Sequence, residues 1–173
     1  MPFIPWKALE ASESLRLQNG MLYAIPWFLA LLELMKTKKP ILNCIFQDER
    51  WAQFPLSWED IIPQSLEKAA ELLNKDISGQ EVSVVLSNDE EDQNLNKTFR
   101  HKDSPTNVLS FPSEIADELG DIILSYETVL REAREENIPF LDHTLHLIIH
   151  GFLHLLGYDH EKEDDAEVME NME

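Results

Sequence analysis

The sequence predicts an α+β fold over residues 40–173, a small mixed sheet of about four strands packed with helices in a single domain. Three observations predict it. The chain has 173 residues and is 43% hydrophobic, enough length and apolar content for one buried core. Short β-branched runs alternate with segments of helical period. No internal repeat and no low-complexity linker interrupts that alternation.

The elements follow in order. ILNCIFQ (41–47) is an apolar run of strand length. Ser57 opens SWEDIIPQSLEKAAELLNK, with Asp60 three positions on as a capping-box pattern. Apolar residues at 61, 62, 66, 69, 70, 72 and 73 share one helical face, and Pro63 predicts an irregularity. Gly79 punctuates the chain before EVSVVLS (81–87), a β-branched run suited to a buried strand. NDEEDQNLNKTF reads as a short helix capped by Asn88 or Asp89. NVLSFP (107–112) and LGDIILS (119–125) are two further strands. ETVLREAREENI forms a helix capped by Ser125, and LDHTLHLIIHGFLHLLG a longer one that begins after Pro139 and stops at Gly157. EKEDDAEVMENME predicts a final acidic helix.

Residues 1–39 stand apart as an N-terminal extension. Their apolar run MLYAIPWFLALLELM (21–35) is too short to span a bilayer and contains Pro26 and Glu33. It lacks the basic flank and small-residue cleavage site of a signal peptide. It reads as an amphipathic segment packed on the domain, and no membrane partner is expected. MKTKKPILNCIF also resembles a native opening into a first strand, which makes Met35 an alternative start. The lone Cys44 excludes an intramolecular disulfide framework and a cysteine-rich zinc module, and suits a reducing cytoplasm. A net charge of −19 opposes bulk capture of a polyanion. Any action on RNA must then use a local cationic site, a bound metal or a basic partner.

The chemistry concentrates in HGFLHLLGYDH (150–160). His150 and His154 lie four apart on a helix, so both imidazoles reach one face. Gly157 then permits a turn that returns His160. Three protein ligands with an open fourth position describe a catalytic zinc site, with one ion expected. His143 and His146 extend the stripe. His146 is expected in a groove beside the metal as a substrate-binding residue, and His143 at an exposed position near the helix start. The skeleton overlays the metalloprotease run H-E-x-x-H-x-x-G-x-x-H, but Gly151 stands where that run carries its catalytic glutamate. A metal can lower the pKa of its bound water unaided, and phosphodiester cleavage chiefly needs charge stabilised on phosphoryl oxygens. A guanidinium is the natural companion. RHKDSPTNVLSFP supplies Arg100, flanked by Lys97 and Lys102, so three of the 14 basic residues fall within six positions.

LNKTFRHKDSPTNVLSFP (95–112), LGDIILS (119–125) and HGFLHLLGYDH (150–160) resemble the three sequence blocks of the YbeY family, and Asp164 to Met169 match its trailing D-D-A-E-x-M. That family comprises single-strand-specific endoribonucleases of bacterial ribosomal RNA maturation. The resemblance implies one zinc ion on His150, His154 and His160, and Arg100 as a catalytic residue in a groove for single-stranded RNA. It implies work on the 3′ end of 16S rRNA and in ribosome quality control, with small-subunit ribosomal proteins as partners. Asp121, in the second block, becomes a candidate catalytic residue that orients a ligand or the metal's water, alongside the alternative of a strand-ending role. Lys97 and Lys102 are candidate substrate contacts. The family's usual P-T-D-V-L-S-F-P reads P-T-N-V-L-S-F-P here, with Asn107 in place of the aspartate.

Two other readings stay open at this point. A zinc metalloprotease fits the histidine skeleton and Met169 but lacks the glutamate. A non-catalytic ribosome-assembly factor fits the acidic composition, which suits basic ribosomal proteins. For a general base the sequence offers Asp103, Asp121 or no protein group.

Overall fold

The computed structural model describes residues 39–158. The N-terminal run, His160 and the predicted final helix lie outside these residues. The described part is an α+β domain with one four-stranded mixed sheet.

Strand β1 is Ile41–Phe46. A four-residue helix α1 (Glu49–Ala52) follows, which hydrophobic period could not reveal because it is one turn long. Asp48 caps it by accepting the Arg50 amide, and Trp51 plugs it into the core with 0% exposure. Helix α2 is Trp58–Leu72. The predicted capping box does not form, because the Ser57 side chain makes no cap bond. The helix runs through Pro63 in its first half, and it stops at left-handed Asn74. Strand β2 (Glu81–Ser87) leads into helix α3 (Asp89–Arg100), where Asn88 accepts the amides of Glu90 and Glu91. Strands β3 (Val108–Pro112) and β4 (Glu118–Ser125), then helices α4 (Tyr126–Glu136) and α5 (Phe140–Leu155), complete the order.

The sheet order is β1-β2-β4-β3, with β1, β2 and β4 parallel and β3 antiparallel to β4 at one edge. Alternation along the strands separates two cores. Val82, Val84, Leu86, Ile122 and Leu124 face α2 and α5, meeting Trp58, Leu66, Leu147, Ile148 and Phe152. Val85, Leu109 and Ile123 face the other way and pack with Leu95 of α3. Helix α5 presses closely on the sheet at Gly151. A Cβ there would stand 2.8 Å from Ile122 Cγ2 and 2.9 Å from Ser110 Oγ. The edge strand β3 is thus flanked by α5 on one face and by the end of α3 on the other.

Candidate functional site

A cleft of about 590 Å³ opens over β3. Its floor is Val108, Ser110 and Pro112, residues of the face turned toward α5. One wall comes from α5 and its turn, with His150, His154, Gly157 and Tyr158. The other is built by Arg100, Thr106 and Asn107.

His150 and His154 meet as their four-residue spacing requires. Their Nε2 atoms stand 3.1 Å apart, with rings at 77°. His154 Nδ1 lies 3.1 Å from the Tyr158 carbonyl oxygen. A carbonyl only accepts, so Nδ1 carries the proton and Nε2 presents its lone pair. Two ligands of a tetrahedral zinc with bonds of ~2.0–2.1 Å are roughly 3.3 Å apart, close to this separation. The donor pair therefore fits a zinc ion. His160 lies outside the described residues, and among those residues no group of three ligating side chains is assembled. Gly157 adopts φ +88°, and the amides of Gly157 and Tyr158 close the helix on the carbonyls of His154 and Leu153.

Position 151 carries a packing constraint. Gly151 is buried against Ile122 and Ser110, so any side chain there would enter the interface between α5 and the sheet rather than the cleft.

The predicted basic cluster separates. Arg100 ends α3 and lines the cleft. Lys97 instead pairs with Asp103 at 2.7 Å, both well exposed, and lies outside the cleft lining. Lys102 is exposed on the following loop and also outside the lining. Lys97 and the Gln93 amide hold the Asp103 carboxyl below the usual carboxylate range. Asp121 is exposed and lines a different hollow, with Glu81, Ser83, Phe111 and Glu118. Its neighbour Ile122 points at α5, and strand alternation turns Asp121 to the opposite face.

The histidine stripe divides too. His143 was expected at an exposed position, but it is buried at 5% exposure. Its Nε2 lies 3.1 Å from Glu132 Oε2, so a carboxylate from α4 satisfies the ring. His146 is half-buried, stacks on His143 with centroids 6.2 Å apart, and is not among the cleft-lining residues.

Asn107, which replaces the family's aspartate, gains a defined role, and two further contributors, Asp92 and Asn96, escaped the sequence reading. Asn107 donates from Nδ2 to Glu132 Oε2 at 3.0 Å and accepts the Val108 amide at 2.7 Å, so its amide orientation is fixed from both ends. Asp92 and Asn96 are on the inward face of α3, buried beside the loop that follows it. Asn96 donates to the Ser104 carbonyl at 2.7 Å, and Asp92 accepts the Thr106 amide at 2.6 Å. Desolvation raises the Asp92 carboxyl to about 6, with nearby Asp89 adding to it, while the Thr106 amide and Arg100 pull it back. The signal was present: 92 and 96 share the inward face of α3 with Leu95, where polar residues imply buried partners.

An α+β domain that sets paired imidazoles against an arginine across an edge strand has the parts of a metal-assisted hydrolase. The family comparison is more specific. Residues 45–173 match the family model of endoribonuclease YbeY. The endoribonuclease YbeY of Rhodopseudomonas palustris is 43% identical over 143 residues, covering 78% of this chain and 75% of that protein. That of Methylocella silvestris is 43% identical over 142 residues, covering 78% and 79%. The solution structure of the TM1509 protein from Thermotoga maritima matches with TM-score 0.50 at 30% identity, covering 76% of this chain and 86% of that one. The chain belongs to the endoribonuclease YbeY family.

Proposed function

We propose that residues 40–173 form a single-strand-specific endoribonuclease that binds one zinc ion through His150, His154 and His160. In the cell its substrate is the 3′ region of 16S rRNA, during cytoplasmic small-subunit maturation and ribosome quality control beside ribosomal proteins. The observation that carries this reading is the cleft itself, in which the His150 and His154 Nε2 atoms converge opposite Arg100. When bound, zinc supplies an acidified water and charge compensation for a phosphoryl oxygen. The chain's own residues do the rest. Tyr158 holds the His154 tautomer through its carbonyl. Arg100 offers a guanidinium fork to a phosphodiester. The Asn107–Glu132 bond steadies the wall beside it.

Two features weigh against the protease reading. Position 151 faces the sheet, and no carboxylate is among the described residues lining the cleft. Asp103 and Asp121 also sit outside that lining, which favours a mechanism without a carboxylate base from either. The expected result is cleavage of single-stranded but not duplex RNA, abolished by a chelator. Arg100→Ala should abolish cleavage with metal content intact, and His154→Ala should lower metal content. Full activity of Arg100→Ala, or proteolysis of casein without RNA cleavage, would overturn the proposal.

A further inference from the structure

The acidic surface raises the question of which cations a bound strand meets. Among the described residues there are nine Lys and Arg side chains. Arg50, Lys68 and Lys97 are neutralised by carboxylates at 2.6–2.8 Å. Of the six others, none in an ion pair with a described residue, Arg100 lines the cleft and Lys75 stands beside a residue that lines it. That residue is Tyr158, and the Lys75 ammonium lies 5.1 Å from its ring centroid. The two cations come from opposite faces of the sheet, Arg100 from α3 and Lys75 from the end of α2.

Both members of the Lys75–Tyr158 pair are held by backbone bonds. Asn74 turns left-handed after α2, and the Lys75 amide bonds the Ala70 carbonyl at 2.9 Å. The Tyr158 amide bonds the Leu153 carbonyl at 3.0 Å. An aromatic ring beside an unneutralised cation suits single-stranded nucleic acid, because every base has a face to stack and every link a phosphate to pair. A protein-protein contact would instead favour a larger apolar patch around the pair, whereas Lys75 is exposed and the cleft floor contains Ser110 and Asn107 lies on its wall.

We propose that Lys75 and Tyr158 form a second anchor for the RNA strand besides Arg100, Lys75 holding a phosphate and the Tyr158 ring a base. This rests on the endoribonuclease reading and names how that site seats its substrate. The strand then lies across the edge strand β3, whose cleft is lined by Arg100, the histidine pair and Tyr158.

The test is steady-state cleavage of a short single-stranded oligoribonucleotide by the zinc-loaded full chain. Lys75→Ala should raise KM about fivefold to tenfold with kcat within about twofold, and Lys75→Arg should restore KM. The dependence of log(kcat/KM) on log salt should become shallower by about 0.7, the loss of one single-strand phosphate contact. Tyr158→Ala should raise KM about tenfold with metal content unchanged, and Tyr158→Phe should behave as the wild type. Unaltered KM and salt slope in Lys75→Ala would overturn the anchor while leaving the nuclease standing. Wild-type protein that binds zinc yet cleaves no single-stranded RNA would overturn the endoribonuclease reading, and the anchor with it.

Discussion

Replacing Gly151 by alanine adds one methyl group between α5 and the sheet. That carbon would lie 2.8 Å from Ile122 Cγ2, 2.9 Å from Ser110 Oγ and 3.4 Å from Ile122 Cγ1. Comfortable carbon contacts need ~3.5–4.0 Å, so the added atom is almost 1 Å too close. The Ser110 hydroxyl can rotate away. The Ile122 methyl cannot, since it branches directly from Cβ on a strand residue with 0% exposure. Overpacking of this kind costs about 1–3 kcal/mol, whereas glycine to alanine inside a helix gains about 1 kcal/mol. The net expectation is a loss of about 1 kcal/mol, measured by urea unfolding. Function should suffer more. Helix α5 must lift from β3, moving His150 and His154 relative to Arg100, and a shift near 1 Å can cost on the order of 100-fold in rate. Cleavage and metal content are measured on the same preparation. A Gly151→Ala protein stabilised by about 1 kcal/mol and fully active would refute the reasoning, because helix propensity alone predicts that stabilisation.

Two further outcomes follow from the polar groups around the cleft. The Asp92 carboxyl titrates at about 6 in the folded protein against 3.8 as its ordinary value. The folded state therefore holds this proton more tightly, and stability falls as pH rises through roughly 4 to 6. By about pH 7 the cost approaches ~3 kcal/mol at most. Asp92→Asn keeps an oxygen for the Thr106 amide, so it should flatten this window and exceed the wild type in stability at neutral pH. Urea unfolding at pH 4.5, 5.5 and 7 measures it, and an unchanged pH profile would contradict the assignment. Separately, Glu132→Ala orphans Asn107 Nδ2 and the buried His143 Nε2, and should destabilise by about 2–4 kcal/mol. Glu132→Gln retains an acceptor and should lose less than half as much by the same measurement. Equal losses in the two variants would show that hydrogen bonding at this site is not the cause.

The elements that were legible are those whose period is set by one buried face. Helix α5 and strand β2 fall where their apolar residues place them, and His150 with His154 meet because four residues make one helical turn. What was not legible depends on contacts distant in sequence. Asp121 is next to Ile122, which faces α5, yet one step along a strand turns a side chain to the other face. His143 looked solvated until α4 brought Glu132 against it from 11 residues away. The pairing of Lys97 with Asp103 was not legible, because Asp103 lies beyond the end of α3, where local pattern says little about a loop folding back. Gly151 is the sharpest case. Its spacing suggested a deleted base, whereas the sheet beneath it leaves no room for a side chain.

The net charge of −19 then takes on a different meaning. At physiological ionic strength fields decay over about 8 Å, so the bulk charge weakly repels a distant polyanion, while cations within the cleft act at contact. Of the nine described Lys and Arg side chains, three are cancelled locally: Arg50 by Asp48 and Glu127, Lys68 by Glu71, Lys97 by Asp103. Arg100 is also moderated, since Asp92 lies close enough for the two charges to interact. On the proposed reading, this arrangement withholds the sequence-independent grip that a basic nuclease would have on any RNA. Affinity must come from a strand able to enter the cleft over β3 and reach Arg100 and the histidine pair together. A duplex keeps its bases stacked and paired, so it cannot offer a base to Tyr158. Single-strand selectivity would thus follow from weak general attraction combined with a narrow set of local contacts.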